Sequence, residues 1–379
     1  MEIRIVSTED DFAALEPHWN EILLGSEAAN VQSSFEWLHT WWKHFGQKSQ
    51  LFILVAEDNG SILGIAPLMI HSVGKFYRNL MKFKRLAFLG VGFTDYADFI
   101  IRSRRAEVLR AFFDTIYENK HMWDEVNLKQ LNSLSPHVPI LNNGYVDLAL
   151  RSKNRITKFF EPKTELLYVD TTGEFADYTQ SLPEKLRKDI HRCMREAEKS
   201  GKLELKAFDA MDNSILKDIL RINRQRNRIN GRRSMFLDRN RYAFINEVLP
   251  LLAKQGWLKI FLQQLDGKTI AYGVTFSFRN AIFYWNTSYD LDYSKCSPGK
   301  IILYEMIRYC YENGYKKLDM MAGGEEYKFR WTSTLTNNYD FILRKNNIKT
   351  EFSLFYEKFK YRLKGSVILP ALIHMIEII

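Results

Sequence analysis

Leu258-Lys-Ile-Phe-Leu-Gln-Gln-Leu-Asp266-Gly267-Lys-Thr-Ile-Ala271-Tyr-Gly-Val-Thr275 reads as strand, tight turn, strand. Asp-Gly supplies the positive φ angles of a two-residue hairpin turn, and the flanking runs are rich in apolar, β-favouring residues. The same sentence is written earlier in the chain as Leu51-Phe-Ile-Leu-Val-Ala-Glu-Asp-Asn59-Gly60-Ser-Ile-Leu-Gly64-Ile-Ala-Pro-Leu68. The two turns are 207 residues apart, from 267 − 60.

The surroundings repeat as well. A helical stretch precedes each hairpin, Phe35 to Phe45 in one copy and Arg241 to Lys254 in the other, and Gly46 or Gly256 ends it. Strand, helix and strand follow: Leu86 to Gly90, Arg104 to Lys120 and Asp124 to Leu128, then Ala281 to Thr287, Pro298 to Asn313 and Lys317 to Met321. The offset there is 195, from 281 − 86, so the first copy carries 12 more residues, across the basic segment His71 to Arg85. Shared order and length of elements indicate a duplicated α/β unit. A polar, basic linker between Leu150 and Pro162 divides the chain into a first lobe (1–155), a second lobe (156–345) and a C-terminal extension (346–379). A helix from Pro183 to Ser200 opens the second lobe.

Composition agrees with two folded domains. The 379 residues are 46% hydrophobic and 26% charged, which excludes extensive disorder. A net charge of +9 favours anionic partners: a phosphorylated donor, nucleic acid or an acidic membrane surface. Cys193, Cys296 and Cys310 lack the spacing of a zinc site or disulfide framework, so reduced thiols and no metal are expected. Neither a signal peptide nor a membrane-spanning run is evident, which predicts a cytoplasmic protein. Lys358 to Lys364 is basic and Val367 to Ile379 apolar but too short to span; a packed element is the plainer reading, peripheral membrane contact the other.

Chemistry concentrates in the second copy. Ser297-Pro298-Gly299-Lys300 stands before an apolar helix, with Ser as N-cap, Pro at the first position and Gly allowing close approach. Free N–H groups of Gly299, Lys300 and Ile301 would then face an anion such as a pyrophosphate. The preceding strand, Phe283 through Trp285 to Thr287, can offer backbone N–H groups to a thioester oxygen. Beyond the next strand, Ala322-Gly-Gly-Glu325-Glu326-Tyr327-Lys328 loosens the chain. Asp319, Glu325 or Glu326 can accept an amine proton, and Tyr327 or Lys328 can protonate a departing thiolate. Two basic stretches, Lys185 to Lys206 and Arg221 to Arg233, read as solvated faces or as sites for CoA phosphates, an anionic glycan or tRNA.

Tyr289-Asp290, Ser297-Pro298-Gly299, Asp319 and Gly324-Glu325-Glu326-Tyr327-Lys328, in this order and spacing, resemble the C-terminal motifs of the CelD-type acetyltransferases of the GNAT superfamily. Asp95-Tyr-Ala-Asp98 looks like that family's first-lobe motif. The resemblance spans Met1 to about Thr336. It implies tandem GNAT-like lobes, each a mixed, mostly antiparallel sheet flanked by helices, and an acyl-CoA donor such as acetyl-CoA; the first lobe has no comparable capped loop between Asp98 and Arg104, so it is expected to be a degenerate partner that shapes the acceptor cleft. It also implies Tyr327 as general acid with Asp319 as base or orienting group. The usual longer Arg/Gln-x-x-Gly-x-Gly/Ala loop is reduced here to Ser-Pro-Gly299-Lys. The expected activity is N-acyl transfer to an amine on a sugar or cell-envelope precursor. The alternatives are an aminoacyl-tRNA-dependent transferase like the Fem proteins, whose two-lobed architecture is similar, and a non-catalytic scaffold in polysaccharide assembly.

Overall fold

The computed structural model describes residues 1–72, 83–143, 156–230, 236 and 238–351, residues 227–230 by their backbone alone. Arg151 to Arg155, Lys358 to Lys364, Val367 to Ile379, most of the His71 to Arg85 segment and the end of the Arg-rich segment lie outside the described residues. The chain divides into two compact units, Met1–Lys163 with Asn338–Ile379, and Thr164–Asn337. The sequence division placed the stretch up to 345 wholly in the second lobe; the strand that ends there pairs within the first unit.

The strands, in chain order, are β1 (Glu2–Val6), β2 (Ser49–Leu51), β3 (Ile53–Asp58), β4 (Ser61–Ala66), β5 (Leu68–Ser72), β6 (Lys84–Phe88), β7 (Ile100–Ile101) and β8 (Glu125–Asn132). They continue as β9 (Ile156–Asp170), β10 (Leu203–Phe208), β11 (Leu258–Leu265), β12 (Lys268–Phe278), β13 (Ala281–Tyr289), β14 (Lys317–Ala322) and β15 (Leu335–Lys345). Six helices matter below: α1 (Phe35–Phe45), α2 (Arg105–Glu118), α3 (Glu184–Glu198), α4 (Asn213–Asn230), α5 (Arg239–Lys254) and α6 (Pro298–Glu312).

Both hairpins form as the dipeptides dictate. Asn59 and Gly60 have φ of 48° and 77°, Asp266 and Gly267 of 47° and 79°, the two left-handed residues of a type I′ turn. In the first unit β1 pairs with β3, β3 with β4, and β5 with β6, all antiparallel; β6 then runs parallel to β8, and β15 closes antiparallel on β8. In the second, β10, β11, β12 and β13 pair antiparallel in succession, β13 runs parallel to β14, and β9 closes antiparallel on β14. The sequence of pairings is the same once β4 and β5 are read as one strand. Pro67 separates them, because a residue without an N–H cannot continue the ladder, while the equivalent β12 runs unbroken.

Each unit has its own core. Phe52, Leu54, Leu86, Phe112, Val126 and Phe341 belong to the first. In the second, Ile282, Leu318 and Met320 pack with Leu186 and Ile190 of α3 and Ile302, Met306 and Ile307 of α6. Helix α4 packs on β12 and β13 and α5 on β11. Consequently β12 is buried along almost its whole length, as a strand covered on both faces must be.

Candidate active site

Strands β13 and β14 pair at Ala281↔Lys317, Ile282↔Leu318 and Phe283↔Asp319 and then part, although β13 continues to Tyr289. At the parting β13 is irregular. Phe283 faces Phe276 and Asn286 faces Val274, so three steps on β13 oppose two on β12. Such a bulge releases backbone groups from the ladder. The stretch from Phe283 through Trp285 to Thr287 therefore lies where β14 has left β13. Phe283 is 9% exposed, and the Trp285 ring lies 5.1 Å from that of Phe276.

The amino end of α6 follows. Pro298 occupies the first helical turn as the sequence predicts, but Ser297 makes no side-chain cap; it adopts φ 50° and ψ 61°. Its carbonyl instead accepts the N–H groups of Lys300 (2.9 Å) and Ile301 (3.4 Å). The expected trio of free amides thus reduces to that of Gly299, because the left-handed Ser297 turns its carbonyl back into the first turn. What approaches Gly299 most closely is Tyr289: a Cβ there would lie 2.9 Å from the ring's Cδ1. The Lys300 ammonium points to Asp189 of α3, 3.0 Å away, and this bond, with one from Arg192, holds the Asp189 carboxyl below its ordinary pKa.

The loop between β13 and α6 is tied down by α4. Arg221 pairs with the fully buried Asp290 and donates to the Thr269 carbonyl at 2.6 Å. Gln225 accepts from the Leu291 N–H (2.9 Å) and donates to Asp292 (3.1 Å). Arg226 lies 4.4 Å over the Tyr289 ring. Its charge opposes the upward push that burial gives the hydroxyl pKa values of Tyr272, Tyr284 and Tyr327. No carboxylate among the described residues pairs with it. Sequence reading left this whole segment as a solvated face or an anion site and did not single out Arg226. The signal that distinguishes Arg226 is its spacing: it follows the buried Ile219, Ile222 and Asn223 at i+7, i+4 and i+3, on the inward stripe of the helix.

The residues after β14 separate into two roles. Asp319 is 3% exposed; one carboxylate oxygen takes the Lys317 ammonium (2.8 Å) and the other the Met321 N–H (2.8 Å). It fixes the irregular end of β14, where Met321 has φ of 57°. Lys328 is 3% exposed, with its ammonium 3.4, 3.2 and 3.0 Å from the carbonyl oxygens of Met321, Ala322 and Gly323 and 2.8 Å from Glu325. Those bonds make Lys328 a support of the turn. Glu326 is 94% exposed and stands 3.9 Å from Arg330. Tyr327 alone of the four combines an exposed surface, 42%, with a place in the tyrosine cluster. Burial of its phenol end, with Tyr284 and Glu325 nearby, holds its pKa above the ordinary tyrosine value, Arg226 pulling the other way. Among the described residues no three His, Cys, Asp or Glu side chains gather as a metal site, and no helix is long and apolar enough to cross a membrane.

Known proteins share this architecture. The crystal structure of FemX is similar to 90% of this chain and 97% of its own, with a TM-score of 0.60 at 12% identity. The C-terminal domain (DUF2156) of a putative lysylphosphatidylglycerol synthetase from Agrobacterium fabrum matches 92% of this chain and 95% of its own, at a TM-score of 0.53 and 9% identity. L-PGS from Bacillus licheniformis matches 89% and 95%, at 0.52 and 13%. At such identities the likeness is one of fold. No curated protein sequence matches the chain. The acetyltransferase (GNAT) domain family matches residues 184–329, from the start of α3 to just past Tyr327, all within the second unit.

Proposed function

We propose that the protein is an N-acyltransferase that moves an acyl group, acetyl in the simplest case, from acyl-CoA to an amine on a sugar or cell-envelope precursor. The observation that carries this reading is the parting of β13 and β14 beside the amino end of α6, within the segment that matches the GNAT domain. A thioester laid along Phe283 to Thr287 would lie beside β13 where β14 has parted from it, with a backbone amide of that stretch donating to its carbonyl oxygen as charge develops there. The residues fit an anionic donor: Gly299 leaves one amide open at the positive end of α6, and Arg226 has no carboxylate partner among the described residues. As the amine nitrogen bonds to the thioester carbon and the C–S bond breaks, Tyr327 donates its proton to the departing thiolate, and the proton released from the nitrogen restores the phenol. Its raised pKa keeps it protonated at neutral pH, so the donor form is always present. Asp319 and Lys328 act on the geometry of the turn that presents Tyr327. Within the GNAT superfamily, the resemblance of the motifs from Tyr289-Asp290 to Tyr327-Lys328 to those of the CelD-type enzymes supports the reading of an acyl-CoA-dependent member.

Calorimetric titration of acetyl-CoA, CoA and bulk tRNA, followed by thiol-release assays with amino-sugar acceptors, tests the proposal. Saturable CoA binding and amine-dependent thiol release are expected. Binding of tRNA without CoA would replace acyl-CoA by an aminoacyl-tRNA donor, and binding of neither would leave a non-catalytic scaffold.

A further inference from the structure

A cavity of about 350 Å³ lies between the carboxyl halves of α3 and α6 and strands β10 and β11, lined in part by Glu198, Leu205, Gln263, Glu305, Arg308 and Glu312. None of its lining residues belongs to the candidate transfer site. Two oxygens of its lining residues have no donor among the described residues. Gln263 is 1% exposed, and its amide nitrogen donates to the Glu204 carbonyl at 3.0 Å. That bond fixes the amide orientation and leaves Oε1 buried without a partner. Glu305 is 4% exposed; one carboxylate oxygen takes the Arg308 guanidinium, and Oε1 is again buried and unpartnered. A buried acceptor without a donor costs about 1–3 kcal/mol, more for a charged one.

The surrounding field has one sign. Three glutamates, Glu198, Glu305 and Glu312, face one arginine, Arg308. Glu198 and Glu312 are also the last residues of α3 and α6, so the negative ends of both helices add to the carboxylates. Leu203 and Leu205 give the cavity an apolar wall. We propose that this cavity binds a small organic compound bearing a primary ammonium group, whose N–H groups donate to Gln263 Oε1 and Glu305 Oε1 while its short hydrocarbon part lies against the leucines. An ammonium group has several donors and no acceptor, which is what two orphaned oxygens in a negative field require.

The probes are n-butylammonium and putrescine, with n-butanol and butyrate as controls of matching size, titrated by calorimetry into the full-length protein. The ammonium probes should bind saturably and the controls should not. Glu305→Gln should weaken the ammonium probes about tenfold or more, the loss of a charged acceptor. Gln263→Lys places a tethered ammonium beside both Glu305 and the Glu204 carbonyl; it should raise the melting temperature and abolish probe binding. If Glu305→Gln fails to fold, the Gln263→Lys result decides alone. The proposal is overturned if no ammonium probe saturates, if the controls bind equally well, or if the folded variants bind the probes like the parent. None of these readouts involves acyl transfer, so they stand or fall apart from the catalytic reading.

Discussion

Replacing Lys328 by Met removes the ammonium and keeps the length of the chain. In the parent that ammonium lies 3.4, 3.2 and 3.0 Å from three successive carbonyl oxygens and 2.8 Å from the Glu325 carboxylate. Breaking a buried charged pair costs about 3–5 kcal/mol. Two terms hold the value at the low end: the desolvation of the ammonium is recovered, and Glu325, whose side chain is 56% exposed, can turn to water. The net loss is about 3 kcal/mol, which for a unit of this size lowers the melting temperature by roughly 6–12 °C. The assay is thermal unfolding followed by near-UV circular dichroism, with a pH–rate profile taken well below the new transition. A supporting residue predicts a destabilised protein whose remaining activity keeps the parental pH dependence. A shift below about 2 °C with activity abolished would refute the structural role and return Lys328 to the chemistry.

Tyr327→Phe should lower turnover about 10²- to 10⁴-fold while sparing acetyl-CoA affinity, read by thiol release and calorimetry; a parental rate would remove Tyr327 from the mechanism. Because the folded pKa of Tyr327 is raised, the acid form persists to higher pH, and the alkaline limb of kcat should lie above the ordinary tyrosine value of about 10. A limb below it would assign the proton to another group. Gly299→Ala should cost about 1–3 kcal/mol by overpacking against Tyr289, and Tyr289→Leu in the same chain should return most of it, as melting temperatures would show. Glu125, its side chain 2% exposed between Arg85 (2.6 Å) and Arg344 (2.7 Å), has a pKa that burial pushes up but that Arg85, Asn127 and Arg344 bring below the ordinary value. Its contribution is therefore present above about pH 4.3 and lost as pH falls through the lower folded value. Glu125→Gln should abolish that pH dependence and cost about 3–5 kcal/mol near neutrality, measured as unfolding temperature against pH.

What the sequence discloses is what local chemistry decides. Asn59-Gly60 and Asp266-Gly267 specify their turns within two residues, and Pro298 starts α6 whatever surrounds it. Pairings over long separations are not written locally. Asn338 to Arg344 of β15 pairs with β8, and Leu166 to Asp170 of β9 with β14, and neither alternation pattern names its partner. The site divides in the same way. Tyr327 and the strand from Phe283 to Thr287 were visible as motif and strand, because their residue types sit at element ends. The roles of Lys328 and Asp319 were not, since a buried lysine on carbonyls and a catalytic lysine look alike in one dimension. Arg226 was hidden among Arg221 and Arg224, and only the stripe of buried residues on α4 separates it from them.

The duplication gives a physical reason for one unit to hold the chemistry. In the first unit β6 and β8 pair at Arg85↔Glu125 and Leu86↔Val126, the counterpart of the β13 and β14 pairing, and β8 carries a left-handed residue, Gln130 with φ of 67°, where β14 has Met321. The segment that follows β6 there returns across β8. The Ala97 N–H bonds to the Gln130 carbonyl at 3.1 Å, and the Asn338 amide bridges the Asp95 carbonyl (2.6 Å) and Gln130 Oε1 (2.7 Å). Asp98 is held by the fully buried His137 at 2.7 Å, and Phe99 packs on Phe88 and Phe112. Asp95-Tyr-Ala-Asp98 thus fills the place that a thioester takes along β13 in the proposed reaction. At the amino end of α2, Arg104 has the same left-handed backbone as Ser297, but its guanidinium is engaged by Asp58 and Glu107 at 2.6 Å each, so two carboxylates already stand where an anion would dock. The corresponding loop of the second unit is drawn instead to α4 by Arg221 and Gln225. The same order of pairings therefore accommodates two courses of the loop after the fourth strand, across to the next strand in one unit and to a helix beside it in the other.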